Sequence, residues 1–262
     1  MSERTIRVET DERGVARLIL DRPDKHNAMN PQLMDELAQA VDTLAADDVV
    51  RAVVLMGEGK SFSAGADLNW MKAQFEASRE QRMTEARRLA HLLRSMNELP
   101  KPLIGRIHGN AFGGGMGLMA VCDVAIGAEG AKFGFTETRL GIVPATISPF
   151  VVARMGEGRA RRVFMSARLF DAEEAVTLGL LARAVPPEAL GEAVEAEVAP
   201  YLKVSTEAVA ASKALARRLG PPITDVQIEQ SVTSLADAWE TPQAQAGIGA
   251  FFEKKAPPWD AS

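Results

Sequence analysis

The chain has 262 residues, 47% of them hydrophobic and 25% charged, an ordinary composition for one large domain or a domain with a helical appendage. A net charge of −5 argues against a nucleic-acid surface, while leaving room for a local basic pocket that holds a phosphorylated group. Cys122 is the only cysteine, and His26, His91 and His108 form no i, i+4 pair, so neither a disulfide, a cysteine-rich metal site nor a zinc-hydrolase helix is expected. The charged start, MSERTIRVETDERG, has no apolar signal stretch and no window reaches membrane-spanning length, so the expectation is a cytoplasmic protein without a membrane partner.

In chain order, residues 5–9 alternate polar and apolar, 11–14 supply turn chemistry and 15–20 form a β-rich run, which predicts a strand pair. Asn30-Pro31 marks a helix start, with Asn30 as cap and Pro31 in the first turn. Leu33, Leu37, Val41 and Leu44 give that helix a buried face. Residues 50–56 read as a strand ending at Gly57, 80–99 as a long helix stopped by Pro100, 103–107 as a buried strand and 121–128 as another. From Pro149 onward the pattern is nearly all helix, with a chain turn at 178–181 and a boundary at Val185-Pro-Pro187. The expectation is a mixed α/β core over residues 1–185 and a helical C-terminal subdomain over 186–262.

Three phosphate-like signals fall away. Gly59-Lys60-Ser61 ends like a nucleotide P-loop, but its first glycine would stand at Val54. Gly115-Met-Gly117-Leu-Met-Ala120 has the form of a dinucleotide loop, yet Cys122-Asp123 follows too soon for a βαβ crossover. The basic run Gly158-Arg-Ala-Arg-Arg162 reads as a solvated helix face.

Two segments remain: Ser61-Phe-Ser-Ala-Gly-Ala-Asp67-Leu68 and His108-Gly-Asn-Ala-Phe-Gly-Gly-Gly-Met-Gly117, each between a strand and a helix. Small residues let a backbone approach a ligand closely, and free N–H groups at a helix start favour negative charge. Two such junctions can aim two N–H donors at one oxygen, an arrangement in which losing a donor costs about 10²–10³ in rate. Either loop alone reads better as a tight turn, and the two together, with a carboxylate downstream, favour the donor reading. Glu137 downstream supplies a carboxylate for proton transfer, or caps a helix beside Thr136 and Thr138.

These residues resemble the crotonase (enoyl-CoA hydratase/isomerase) superfamily over nearly the whole chain. The resemblance is carried by Leu20-Asp-Arg-Pro-Asp-Lys-His-Asn27-Ala28, Ser63-Ala-Gly-Ala-Asp67-Leu68, Gly109-Asn-Ala-Phe-Gly-Gly-Gly115 with Cys122-Asp123, Phe133-Gly-Phe-Thr-Glu137 with Leu140-Gly-Ile-Val-Pro144, and Phe251-Phe-Glu-Lys-Lys255. It implies a spiral of repeated ββα units, commonly a homotrimer or a dimer of trimers, and an acyl-CoA substrate with no further cofactor. It places oxyanion donors at Ala66 and Gly114 N–H and the acid/base at Glu137. Ala64, Asp67 and Leu68 would lie along the CoA, Lys25 near its phosphates, and Phe251 and Lys254 over it, on the same or a neighbouring subunit. Trp70, Met71, Met116, Gly117, Phe135, Thr146 and Phe150 are candidates for the acyl pocket.

One departure matters. The family's two-glutamate hydratases carry a first catalytic glutamate where this chain has Gly117. The run Thr136-Glu-Thr-Arg-Leu-Gly-Ile-Val-Pro-Ala145-Thr-Ile-Ser-Pro-Phe150 is similar to bacterial 3-methylglutaconyl-CoA hydratases and relatives acting on branched glutaconyl thioesters. The carboxylate of such a substrate could orient water, and Arg139 could pair with it. The expected function is reversible hydration of an α,β-unsaturated acyl-CoA. A double-bond isomerase, which needs one base, a non-catalytic acyl-CoA-binding member of the fold and a thioester hydrolase are the alternatives.

Overall fold

A computed structural model describes residues 4–260. The chain opens with an antiparallel hairpin, β1 (Ile6–Thr10) and β2 (Val15–Leu20), whose turn is held by the Asp11 carboxylate accepting from Arg13 N and Val15 N. Helix α1 (Pro31–Ala46) starts as its sequence requires, with Asn30 Oδ1 accepting from Leu33 N at 2.9 Å.

Three passes of strand, short strand and helix follow. β3 (Ala52–Gly57) leads to β4 (Ser61–Ser63), α2 (Leu68–Glu76) and α3 (Arg79–Glu98). β5 (Leu103–Ile107) leads to β6 (Asn110–Phe112) and α4 (Gly114–Ala120). β7 (Val124–Ala128) leads to β8 (Phe133–Gly134), a 3₁₀ turn (Glu137–Leu140), and helices α5 (Ser148–Met155), α6 (Glu157–Phe164) and α7 (Ala172–Thr177). β9 (Arg183–Val185) closes the six-stranded sheet β1-β2-β3-β5-β7-β9, in which every pair after the first is parallel. β4, β6 and β8 form a second, all-parallel sheet beside it. This is the spiral of ββα turns.

The large sheet sends alternate residues to opposite faces. Leu18, Leu20, Val53 and Leu55 join the main core with α1 and α3. Val15, Ala52, Val54, Ile104 and Ile126 pack instead against Leu190, Val194 and Val198 of α8 (Leu190–Val198). The division expected at residue 185 therefore runs just ahead of a helix that shares a core with the sheet. Beyond it come α9 (Thr206–Leu219), α10 (Asp225–Trp239) and α11 (Pro242–Phe252). Among the described residues no helix is long and apolar enough to cross a membrane.

Two sequence expectations need correction. The strand placed at 121–128 begins only at Val124, because Val121 and Cys122 finish α4 with N–H groups donating to Gly117 O and Met119 O. Asp123 sits in that bend, where its carboxylate accepts from Leu103 N and from Lys213 Nζ at 2.8 Å each, tying β5 to α9. The stretch after Pro149 is not wholly helical either, since β9 extends the sheet.

Candidate active site

The first loop leaves β4 and enters α2. Asp67 caps that helix, with Oδ1 accepting from Asn69 N and Trp70 N, while Oδ2 pairs with Arg22 Nη2 at 2.9 Å. Met29 N donates to Gly65 O and Asp67 N donates to Met29 O, a one-residue parallel bridge centred on Ala66. In such a bridge the central residue's own N–H points away from the partner strand. Ala66 N–H is thereby turned outward, on an exposed residue that lines a cavity.

The second loop leaves β6 and enters α4 through Gly113, whose φ of +47° with ψ of −118° favours glycine. Gly114 N–H is the first of the helix and has no intrahelical acceptor. The two loops touch. A Cβ on Gly65, itself at φ +89°, would stand 2.8 Å from Phe112 O, and one on Gly115 would stand 2.7 Å from Ser63 O. Only glycines allow this approach, which sets Ala66 and Gly114 on the wall of one cavity.

Glu137 completes the group. Its Oε1 lies 3.2 Å from where a Cβ on Gly113 would be, so the carboxyl rests against the glycine loop. Its 3₁₀ turn is pinned by α11. Gly141, at φ +73°, passes 2.7 Å from Gln243 O measured at its would-be Cβ, and Gly247 passes 2.6 Å from Leu140 O in the same way. The residue as a whole is partly exposed, but Oε2 is shut off from solvent and has no hydrogen-bond partner. Loss of solvation pushes its pKa up to about 7, against a smaller opposing effect of its own backbone N–H.

The cavity measures about 490 Å³, the size of a small-molecule site. Met29, Met34, Leu89, Ile142 and Ile147 make its walls apolar. Ala64, Leu68, Trp70, Met71, Arg139, Thr146 and Phe251, all expected from the sequence, also line it. Others do not. Met116 and Phe135 are fully buried in the main core, with Phe135 packed on Phe164 and Phe170. Phe150 is in the same core. Gly117 faces Ile147 and Leu93. Asp67 spends both oxygens on the α2 cap and Arg22, and its side chain is not part of the cavity wall. Lys25 and Lys254 are exposed and outside the lining, Lys25 beside the loop because Ala64 N donates to His26 O.

The sequence reading missed Gln74, Arg82, Glu85, Leu235 and Trp239, which reach the cavity from α2, α3 and α10. Arg82 donates Nε to Gln74 O at 2.8 Å and Nη2 to Phe75 O at 3.3 Å, with its guanidinium 5.6 Å from the Trp239 ring centroid. No carboxylate among the described residues pairs with it. Glu85, one turn on, is already bound by Trp70 Nε1 and Arg88. The cavity thus holds an uncompensated cation, and no local signal in the Arg- and Glu-rich α3 could have marked it. Chemically, the site offers two backbone donors for a developing oxyanion, one proton-transfer group poised near neutrality and an apolar chamber with a fixed positive charge.

Comparison with known proteins gives the family and the fold. The family model described as enoyl-CoA hydratase/isomerase matches residues 10–262. A candidate enoyl-CoA hydratase of Thermus thermophilus is 37% identical over 254 residues, covering 95% of this chain and 99% of that one. Among solved structures, an enoyl-CoA hydratase from Shewanella pealeana superposes with TM-score 0.80 at 35% identity, covering 97% of this chain and 96% of that one. Pseudomonas aeruginosa AtuE does so with TM-score 0.80 at 36% identity, covering 97% and 99%. The fold and site define a crotonase-type protein, and the chain belongs to the enoyl-CoA hydratase/isomerase family.

Proposed function

We propose that this chain is an enoyl-CoA hydratase, a lyase that adds water reversibly across the α,β double bond of an acyl-CoA thioester. Ala66 N–H and Gly114 N–H hold the thioester oxygen as it becomes anionic, and Glu137 moves the protons. The supporting observation is the Glu137 carboxyl itself, set against the glycine loop with an unpartnered oxygen and a pKa raised to about 7. CoA enters as part of the substrate, along Ala64 and Leu68, with Lys25 and Lys254 near its phosphates. The test is turnover of a 2-enoyl-CoA, read by loss of conjugated-thioester absorbance. E137Q should lower kcat by about 10²–10⁴, and an unchanged kcat would refute the assignment. Gly117 leaves one carboxylate, which also suits a double-bond isomerase. A 3-enoyl-CoA that gains conjugation faster than a 2-enoyl-CoA loses it would favour that second reading.

For the acyl group we propose a branched chain ending in its own carboxylate, as in 3-methylglutaconyl-CoA. Arg82 supports this, because a half-buried cation without a carboxylate partner favours an anionic ligand. R82M should raise KM for 3-methylglutaconyl-CoA by about tenfold or more and leave crotonyl-CoA within about twofold. Equal effects on the two would remove the carboxylate from the account. Arg139, exposed at the cavity mouth, is the alternative partner, and R139M is the parallel experiment. Assembly into a trimer or a dimer of trimers belongs to the same reading. Exposed Met165, Leu169, Leu219 and Val226 supply apolar surface for it.

A further inference from the structure

The last four carbonyls of a helix have no partner within it and must find one elsewhere. Helix α4 carries the Gly114 N–H at one end, and every carbonyl of its last turn is satisfied at the other. Gly117 O accepts from Val121 N, Leu118 O from Cys122 Sγ and Met119 O from Cys122 N. Ala120 O has a charged donor, Arg154 Nε of α5 at 3.2 Å. The same guanidinium donates through Nη1 to Asp123 O at 3.2 Å and through Nη2 to Cys122 O. One half-buried cation thus clamps the carbonyls of Ala120, Cys122 and Asp123 together.

The clamp is anchored on both sides. Phe150, Val151 and Met155 of α5 share the main core with Met116, Met119 and Ala120 of α4. Asp123 is fixed in turn, its N–H donating to Leu103 O and its carboxylate accepting from Leu103 N and Lys213 Nζ. At the opposite end of α4, Gly113 N donates to Gly134 O at 3.1 Å, and Gly115 abuts Ser63 O with no room for a side chain. Both ends are therefore held, and the seven residues between them span about 10 Å. Over so short a lever, movement of the carbonyl end carries through to Gly114 N–H. An error of about 1 Å at a reacting centre can cost about 10² in rate. A cation at the carbonyl end also offsets the partial negative charge gathered there.

We propose that Arg154 is a positioning residue for the reaction: it fixes the far end of α4 and with it the aim of Gly114 N–H at the thioester oxygen. The role rests on the hydratase reading above, in which that N–H holds the oxygen. Arg154 does not line the cavity and acts only through the helix.

R154M removes the clamp and keeps most of the packing volume. Two measurements are compared: kcat and KM for hydration of a 2-enoyl-CoA, and the carbonyl stretching frequency of bound butyryl-CoA, isotope-labelled at that carbon. Butyryl-CoA has no double bond to hydrate, so its carbonyl reports the N–H donors. Bound to the parent, it should absorb at lower frequency than in solution, because the donors polarise it. The expected result for R154M is a kcat lower by about tenfold or more with KM within about threefold, and a smaller displacement of the carbonyl. R154K keeps the charge but cannot span three carbonyls, and should fall between the parent and R154M. R51M is the control. Arg51 also donates to main-chain carbonyls, Val204 O at 2.6 Å and Tyr201 O at 3.5 Å, away from the cavity, and its loss should change neither kcat nor the carbonyl. R154M with parental kcat and carbonyl frequency would overturn the proposal, as would a lower kcat at an unchanged frequency, the mark of a merely structural role. Equal losses in R51M would overturn it too. Should R154M fail to fold, R154K at the parental rate and frequency would do the same. A parent that leaves the carbonyl where it stands in solution would overturn the oxyanion reading and this one with it, whereas a displaced carbonyl matched in R154M would overturn the role of Arg154 alone.

Discussion

A carboxyl with one oxygen against a glycine backbone and the other walled off from water binds its proton more tightly folded than unfolded. For Glu137 the folded value is about 7 against an ordinary 4.5. The folded state therefore holds more protons than the unfolded state between those limits, and stability falls as pH rises through that window. It is fully present below the ordinary value and lost as pH passes the folded one. E137Q should abolish this contribution, so urea midpoints of the two proteins should diverge in favour of the variant as pH rises from about 5 to 8. Parallel curves would mean that the carboxyl is solvated. Asp67 has both oxygens committed to hydrogen bonds and an ion pair. D67A should cost about 1–2 kcal/mol by the lost cap, and more as Arg22 loses its partner, read from the same unfolding curves. The two loops stood out in the sequence because glycine-rich junctions between strand and helix advertise free N–H groups, whereas Ala66, Gly114 and Glu137 were singled out by family resemblance. Met116 and Phe135 were misplaced because adjacency to a motif says nothing of facing. Two residues along α4 turn a side chain about 200°, which carries Met116 from the cavity wall into the core.

At the scale of elements, the long periodic segments α1, α3 and β5 were readable from cap residues, apolar spacing and stop signals. The strands β4, β6 and β8, two or three residues each, were not. They are too short to show alternation, and only their pairing in three dimensions defines them. Arg82 escaped notice for a related reason, since it reaches the cavity through the docking of elements distant in sequence. The contact between α4 and α5 also limits what motif completion can do. Gly117 reads as a missing glutamate, but a side chain there meets Ile147 Cγ2 and Leu93 Cδ1. G117E should destabilise the protein by about 1–3 kcal/mol through overpacking and give no gain in hydration of crotonyl-CoA. Trimming the obstruction in G117E/I147A should recover stability. A single G117E variant with raised activity and an unchanged melting temperature would show that the room exists after all.

For the whole molecule, the spiral stacks two sheets and their helices so that loops from successive turns converge on one chamber, closed by α10 and α11. That architecture followed from family likeness, since composition alone gave only a mixed α/β core. A trimer or hexamer would appear in light scattering as three or six times the 28.2 kDa chain mass, and a stable monomer at micromolar concentration would count against it. The most direct test of the central claim is the pH dependence of kcat/KM for hydration of a 2-enoyl-CoA. Water loses its proton to the carboxylate form of Glu137, so the rate should rise through a single ionisation near pH 7 and level off above it, with that ionisation absent from the residual rate of E137Q. A profile flat across that range, or one that E137Q shares, would contradict the account.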